Sequence, residues 1–347
     1  MATLVDSAKI VPTEASEKIR NLLSAEGKEH FDDVYLKRKL GASPHIRAIG
    51  CMFADIAAHA QENGLTSAET VARIRATSEF FIALRGDSST AIVTALQILT
   101  SGLDEWEQAP LDRLCRHVLC VTENYHREAA GWEKTIKEYG VNILRDKHSM
   151  LLYDYSSLVC AMLESAAADG HCMDIYLPES RFLNGGYPFV RACIENGHRV
   201  HFFPDVAIYH FMKQADLAMM GAETFFPNGD MVNTIGSELV ALACKRYEKP
   251  LYIPTSLIKV DRRTMEGREK KQLYRDLKSI LSQNWKDEYR DKTDFICPNL
   301  DIVPPELITA YITEEGVVPC SALFGICNSY VERLSQKLSE KERSAEA

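Results

Sequence analysis

Apolar side chains recur at helical spacing early in the chain, at Ile46, Ile49, Met52, Phe53 and Ile56 and again at Val71, Ile74, Phe80 and Phe81. A stripe with that period marks a helix that buries one face. Thr66-Ser67-Ala68-Glu69 starts the second of these helices, with Thr66 or Ser67 as the cap and Glu69 near the third position. Further helices are predicted over Ala91–Leu99, Leu111–Tyr125 and from Ala129 to about Tyr139. After His148 the pattern changes to short apolar runs that end on an acid and are followed by a helical stretch. Met150–Asp154 leads into Leu158–Ala167, Asp174–Glu179 into Val190–Asn196, and Arg199–Asp205 into Ala207–Lys213. Ala218–Glu223 and Leu251–Thr255 read as the fourth and fifth strands, with a helix over Ser237–Arg246 between them. Strands and helices alternating about every 25 residues predict parallel βαβ units and a doubly wound sheet. The fold class is therefore α/β, with a helical N-terminal domain over 1–145, an α/β domain over 146–334 and a charged tail over 335–347. The charged segment Arg262–Lys292 reads as helical, a cover or a subunit contact.

In an open parallel sheet, ligands bind beyond the carboxyl ends of the strands. Four strands here end on Asp154, Glu179, Asp205 and Glu223. Single acids at such positions are often helix caps, but four on one edge point to a site. The stretch Gly221-Ala222-Glu223 through Asn228-Gly229-Asp230 to Asn233-Thr234-Ile235-Gly236 is the most informative. It delivers a carboxylate at a strand end, then a tight turn, then a helix start whose backbone N–H groups suit an anion. Arg85-Gly86-Asp87-Ser88-Ser89-Thr90 places hydroxyls ahead of another helix, as a phosphate cradle or as an ordinary cap.

Composition narrows the partners. The 347 residues carry a net charge of −9, and the short basic runs Lys37–Lys39, Arg262-Arg263 and Lys270-Lys271 are interleaved with acids. That argues against a nucleic-acid surface. No run approaches the roughly 18 apolar residues of a membrane span, and Asp6, Lys9, Glu14 and Glu17 interrupt what a signal peptide would keep apolar. Ten cysteines without a Cys-x-x-Cys pair predict reduced core thiols and a cytoplasmic location. Ten histidines without a His-x-x-x-His pair give no metal site, and no cofactor is expected.

Together these residues resemble the family that joins sugar-1-phosphate aldose–ketose isomerases to the alpha subunit of translation initiation factor 2B. The resemblance covers roughly Ile46 to Tyr330. It is carried by Gly221-Ala222-Glu223…Asn228-Gly229-Asp230…Asn233-Thr234-Ile235-Gly236, similar to Gly-Ala-Asp/Glu…Asn-Gly…Asn-Lys-Ile-Gly, and by Pro304-Pro305-Glu306…Ile312-Thr313-Glu314-Glu315-Gly316. Pro178-Glu179-Ser180-Arg181 looks like Glu-Thr-Arg-Pro, Ile46-Arg47…Gly50 like Ile-Arg-Gly-Ala-Gly, and Ser88-Ser89-Thr90-Ala91-Ile92 falls on Arg-Pro-Thr-Ala-Val. The resemblance implies a Rossmann-like C-terminal domain, a sugar-phosphate cleft between the domains and a homodimer or higher homo-oligomer. It also implies metal-free isomerisation by a Cys and an Asp.

The departures fall on the chemistry. Asp154 stands at the position of the family's Cys, Glu223 at its Asp, Thr234 at its Lys, and Ser88 at its Arg. Cys160, inside the following helix, reads as a core thiol. The candidate catalytic pair is therefore Asp154 as acid and Glu223 as base, two carboxylates whose proximity and burial would separate their pKa values. The opposing account has Asp154 capping the next helix and Glu223 tying the turn. Candidate sugar-phosphate ligands are Arg47, Arg85, Ser88, Ser89, Thr90, Glu179, Arg181, Asn228, Asp230, Asn233, Thr234 and Lys259. The expected function is a divergent isomerase of a phosphorylated sugar. The alternatives are an initiation-factor-like regulatory subunit that senses sugar phosphates or nucleotides, and an enzyme of altered chemistry on a related sugar.

Overall fold

The computed structural model describes residues 3–4, 12–39, 41–86, 89–267 and 272–345. The chain divides into two compact units, one of Ile10–Lys134, Leu257–Val260 and Gly325–Ala347, the other of Met1–Lys9, Thr135–Ser256 and Asp261–Phe324.

The first unit is helical. It holds α1 (Glu14–Arg20), α2 (Ala25–Tyr35), α3 (Ala42–Ala58), α4 (Ser67–Arg85), α5 (Thr90–Thr100) and the first part of α6 (Leu111–Leu144). The predicted cap of α4 is present: the Thr66 hydroxyl accepts from Glu69 N at 3.2 Å, and Thr66 N donates back to the Glu69 carboxylate at 2.8 Å. That reciprocal pair satisfies two amides that the helix itself leaves open. The apolar stripe of α3 is buried as expected, and Phe31, Ile49, Met52, Phe53, Ile74, Phe81, Ile92 and Leu96 lose essentially all contact with water. Each such side chain stabilises the unit by about 1.5–3 kcal/mol. The helices expected over Leu111–Tyr125 and from Ala129 are a single helix. No proline or cap residue lies between them, so nothing stops the first from running into the second.

The second unit is built on a seven-stranded sheet. Its strands are drawn from β1 (Thr3–Leu4), β2 (Ser149–Leu152), β3 (Asp174–Pro178), β4 (Arg199–Phe203), β5 (Leu217–Met219), β6 (Thr224–Phe225), β7 (Met231–Thr234), β8 (Leu251–Pro254), β9 (Leu273–Asp276), β10 (Ile296–Pro298), β11 (Leu300–Val303), β12 (Ala310–Thr313) and β13 (Gly316–Val318). The large sheet runs β13-β12-β8-β5-β2-β3-β4, parallel except for the edge strand β13. Its helices are α7 (Ser157–Ala168), α8 (Tyr187–Glu195), α9 (Ile208–Phe211) and α10 (Ser237–Arg246). Met150, Leu151, Leu152, Ile175, Leu177 and Leu217 are fully buried, as in a sheet covered on both faces.

Three elements differ from expectation. The pairing of β5 stops at Met219, so Ala218–Glu223 is not one strand, and Thr224 begins a hairpin in a separate antiparallel sheet, β11-β7-β6. Gly221 forms the break, where an added Cβ would lie 2.9 Å from the Ser156 hydroxyl. Asn233 accordingly lies in β7 rather than at a helix start, and α10 begins at Ser237. Among the described residues, Arg262–Lys292 does not form one continuous helix. Within it β9 pairs with β1 and β10, and α11 (Lys278–Leu281) and α12 (Asp287–Arg290) are single turns. Strand partners remote in sequence decided that segment, which local charge pattern cannot show. The last helix is α13 (Cys320–Ala345), which runs on into the charged C-terminal stretch. No described helix is long and apolar enough to cross a membrane.

Candidate active site

Strand order fixes where the chemistry gathers. The chain lays down β2, β3 and β4 outward in one direction, then returns to place β5, β8 and β12 on the other side of β2. The order reverses between β2 and β5, and the carboxyl ends of that pair form the crevice of a doubly wound sheet. Met150 to Leu152 pair with Leu217 to Met219, so Asp154 and Glu223 both leave the sheet at this point.

Asp154 sits in the left-handed backbone region, at φ 55°, which is uncommon for a residue with a Cβ. It does not cap α7; that cap is Ser156, whose side chain accepts from Val159 N. Its Oδ2 instead accepts from the Thr234 hydroxyl at 2.5 Å, and Oδ1 lies so close to Gly185 that a Cβ there would approach it to 1.7 Å. Burial raises the carboxyl pKa above the usual range. The bonds from Thr234 and the Tyr155 amide oppose that rise without cancelling it, and the Glu223 charge adds to it. The two carboxylates are thus near enough to sense each other.

The surroundings hold this pair in place. The Tyr153 hydroxyl donates to the Ile235 carbonyl at 2.7 Å and packs against Gly236, where φ is 100° and a Cβ would meet that hydroxyl at 2.0 Å. Thr234 is thereby held beside Asp154. Asn233 donates to the Ser237 hydroxyl at 3.0 Å, which donates to the Thr234 carbonyl at 2.7 Å. The first amides of α10 were expected to face a ligand, but Asp301 from β11 accepts from Gly236 N at 2.7 Å and Glu238 N at 3.1 Å. A carboxylate of the protein itself already occupies that anion position.

The remaining candidates separate by role. Glu179 pairs with Arg181 at 3.7 Å. Asp205, another strand-end acid, accepts from Ser180 N and Arg181 N at 2.8 and 2.9 Å and so ties down the loop after β3. Asn228 and Asp230 bond to each other across the turn of the β6–β7 hairpin, at the opposite end from Glu223 and Thr234. Cys160 is buried in α7, and burial first, then Glu164, pushes its thiol up to about 12. In the helical unit, Arg47 lies on α3 and Arg85 ends α4 close enough to buried His45 to help hold that imidazole down to about 4, mainly an effect of burial. Ser89 precedes α5, and its hydroxyl is buried with no partner among the described residues. Thr90 opens α5, and the turn that contains Lys259 packs against the same helix. Ser88 lies outside the described residues.

Sequence reasoning missed Asp301, Tyr153 and Arg275. Asp301 follows the recognised Asn-Gly and Asn-Thr-Ile-Gly segments by more than sixty residues, and only the β7–β11 pairing joins them. Among the described residues, no three His, Cys, Asp or Glu side chains converge as metal ligands would.

A sequence profile of the initiation factor 2 subunit family matches residues 44–320. The chain belongs to this family. Among the family's characterised members it is similar to ribose 1,5-bisphosphate isomerase of Pyrococcus furiosus, 27% identical over 191 residues that make up 55% of this chain and 59% of that enzyme. It is also similar to translation initiation factor eIF2B subunit alpha of Dictyostelium discoideum, 26% identical over 194 residues, 54% of this chain and 60% of that one. The matches thus span about 60% of the length of these relatives. The crystal structure of 5-methylthioribose 1-phosphate isomerase from Pyrococcus horikoshii superposes with a TM-score of 0.70 at 20% identity, covering 94% of this chain and 87% of that one. At that identity the likeness is one of fold.

Proposed function

We propose that this member of the initiation factor 2 subunit family is an aldose–ketose isomerase of a phosphorylated sugar, with Asp154 as acid and Glu223 as base. The observation that carries this reading is the half-buried Asp154 carboxyl, bonded to Thr234 and crowded by Gly185 beyond the ends of β2 and β5, where Glu223 also leaves the sheet and its charge adds to the rise in the Asp154 pKa. A carboxyl held toward its neutral form beside a second carboxylate suits a division into proton donor and proton acceptor. Asp154 gives its proton to the ring oxygen as the bond from C1 to that oxygen breaks. Glu223 takes the proton from C2, leaving a C1=C2 enol. Glu223 then returns the proton to C1 while the C2 hydroxyl gives its proton back to Asp154, and the ketose forms with nothing gained or lost. The relatives named for isomerisation of ribose 1,5-bisphosphate and 5-methylthioribose 1-phosphate support this class of substrate.

NMR time courses with ribose 1,5-bisphosphate and 5-methylthioribose 1-phosphate test the reading, with a new ketose carbonyl signal as the expected result. Asp154→Asn and Glu223→Gln should each lower kcat by about 10²–10⁴-fold. Near-wild-type turnover in both variants would overturn the assignment. A second reading, a regulatory subunit that binds without turnover, is favoured by Glu223 in place of the isomerases' Asp and by the likeness to the eIF2B alpha subunit. It predicts ligand line broadening with no product.

A further inference from the structure

Arg275 on β9 reaches the loop after β3. Its Nη1 donates to the Phe182 carbonyl at 2.9 Å, and its guanidinium carbon lies 5.4 Å from the centre of the buried Phe182 ring. Burial lowers its pKa, and Nε has no partner among the described residues. A guanidinium placed this way is costly to bury and gains only a carbonyl and a ring face in return. The loop it grips is closed from several sides. Ser180 N and Arg181 N donate to Asp205, Gly185 N donates to the Ser180 carbonyl at 3.2 Å, and Gly186 N to the Glu179 carbonyl at 3.3 Å. At its far end Gly185 lies against Oδ1 of Asp154, and Gly186 against the Pro178 carbonyl, with no room for a Cβ at either.

We propose that Arg275 is a positioning residue, holding Phe182 so that the Phe182–Gly186 loop stays pressed on Asp154 and keeps that carboxyl group covered. The charged and titratable groups facing Asp154 are Glu223, from the connection between β5 and β6, and Tyr153, from the end of its own strand. Asp205 and Asp301 act in turn on Tyr153. Arg275 acts through the loop's cover rather than through its charge. The inference rests on the isomerase reading only for its consequence in catalysis.

The test is a carboxyl-carbon NMR titration of the full chain labelled at aspartate, with the Asp154 signal assigned by its loss in Asp154→Asn. In Arg275→Met, which keeps the stem and removes the guanidinium, the Asp154 midpoint should move to lower pH by about one unit as water reaches the carboxylate. Phe182→Leu, which keeps the carbonyl acceptor and removes the ring, should move it the same way by less, and it carries the test if Arg275→Met does not fold. An unchanged Asp154 midpoint in folded Arg275→Met, or in Phe182→Leu when the first variant is lost, overturns the proposal. Where turnover is measured, the alkaline limb of kcat should follow the midpoint. A shifted midpoint in a protein that isomerises no sugar phosphate keeps the latch and removes the isomerase reading; turnover with an unshifted midpoint does the reverse.

Discussion

Asp154 and Thr234 show how far single positions could be read from the chain. Both were candidates, but their bond joins residues 80 apart in sequence, and no local pattern reports it. The same holds for Gly185, which reads as an ordinary turn residue until Asp154 is found against it. The state of Asp154 carries a consequence for stability. Its folded pKa is raised, so the folded chain holds a proton that the unfolded chain releases. The resulting stabilisation is full below the ordinary carboxylate pKa and is lost as pH rises through the raised value. Asp154→Asn should therefore melt higher than wild type at about pH 8, with the gain vanishing near pH 4. A gain equal at both pH values in calorimetry would mean that the carboxylate carries no burial cost.

Elements place these residues, and the corner between β7 and α10 depends on a tyrosine and a glycine. Tyr153→Phe removes the bond to Ile235 and should cost about 0.5–1.5 kcal/mol in a denaturant titration. Gly236→Ala should cost more, since its φ of 100° disfavours a side chain and the new methyl meets Tyr153. At the other end of β2 and β5, Asp216 accepts from His148 N at 2.8 Å and Ser149 N at 3.0 Å. Burial works to raise its pKa, but those amides, the Ser149 hydroxyl and Lys249 together lower it. A lowered folded pKa contributes stability above the unfolded value, and this is lost as pH falls through the folded one. Asp216→Asn should cost about 1.5–3 kcal/mol at neutral pH, with the difference from wild type shrinking on acidification. A constant difference down to about pH 3 would exclude the charged bond.

Across the molecule, all ten cysteines are free thiols, and only Cys120 and Cys172 are exposed. Burial pushes Cys193, Cys244 and Cys327 up to about 12, so their thiolates are scarce at neutral pH. In native protein, Cys120 and Cys172 should react fastest with a thiol reagent, and those three more slowly by orders of magnitude. Cys51, Cys115 and Cys327 lie in the helical unit, and Cys193 and Cys244 in the α/β unit. Labelling across a denaturant series, read by mass spectrometry, therefore reports each unit's opening separately. Coincident exposure of both sets would show a single cooperative transition, and staggered exposure two.

The alternation of apolar runs with amphipathic stretches was enough to establish a helical region followed by a parallel sheet, because each element's burial follows from its own period. It also placed Asp154, Glu179 and Asp205 just beyond strand ends, but not Glu223, because β5 stops at Met219. Which of those acids serve the site was not in the chain's local pattern. Asp205 became a loop tie, Glu179 an ion-pair partner and Asp154 a half-buried acid bonded to Thr234 because of partners brought in by strand order and by a second sheet. Asp301 filled the helix start for the same reason. A carboxylate's role depends on its burial and its neighbours, and these are set by contacts between residues far apart in sequence.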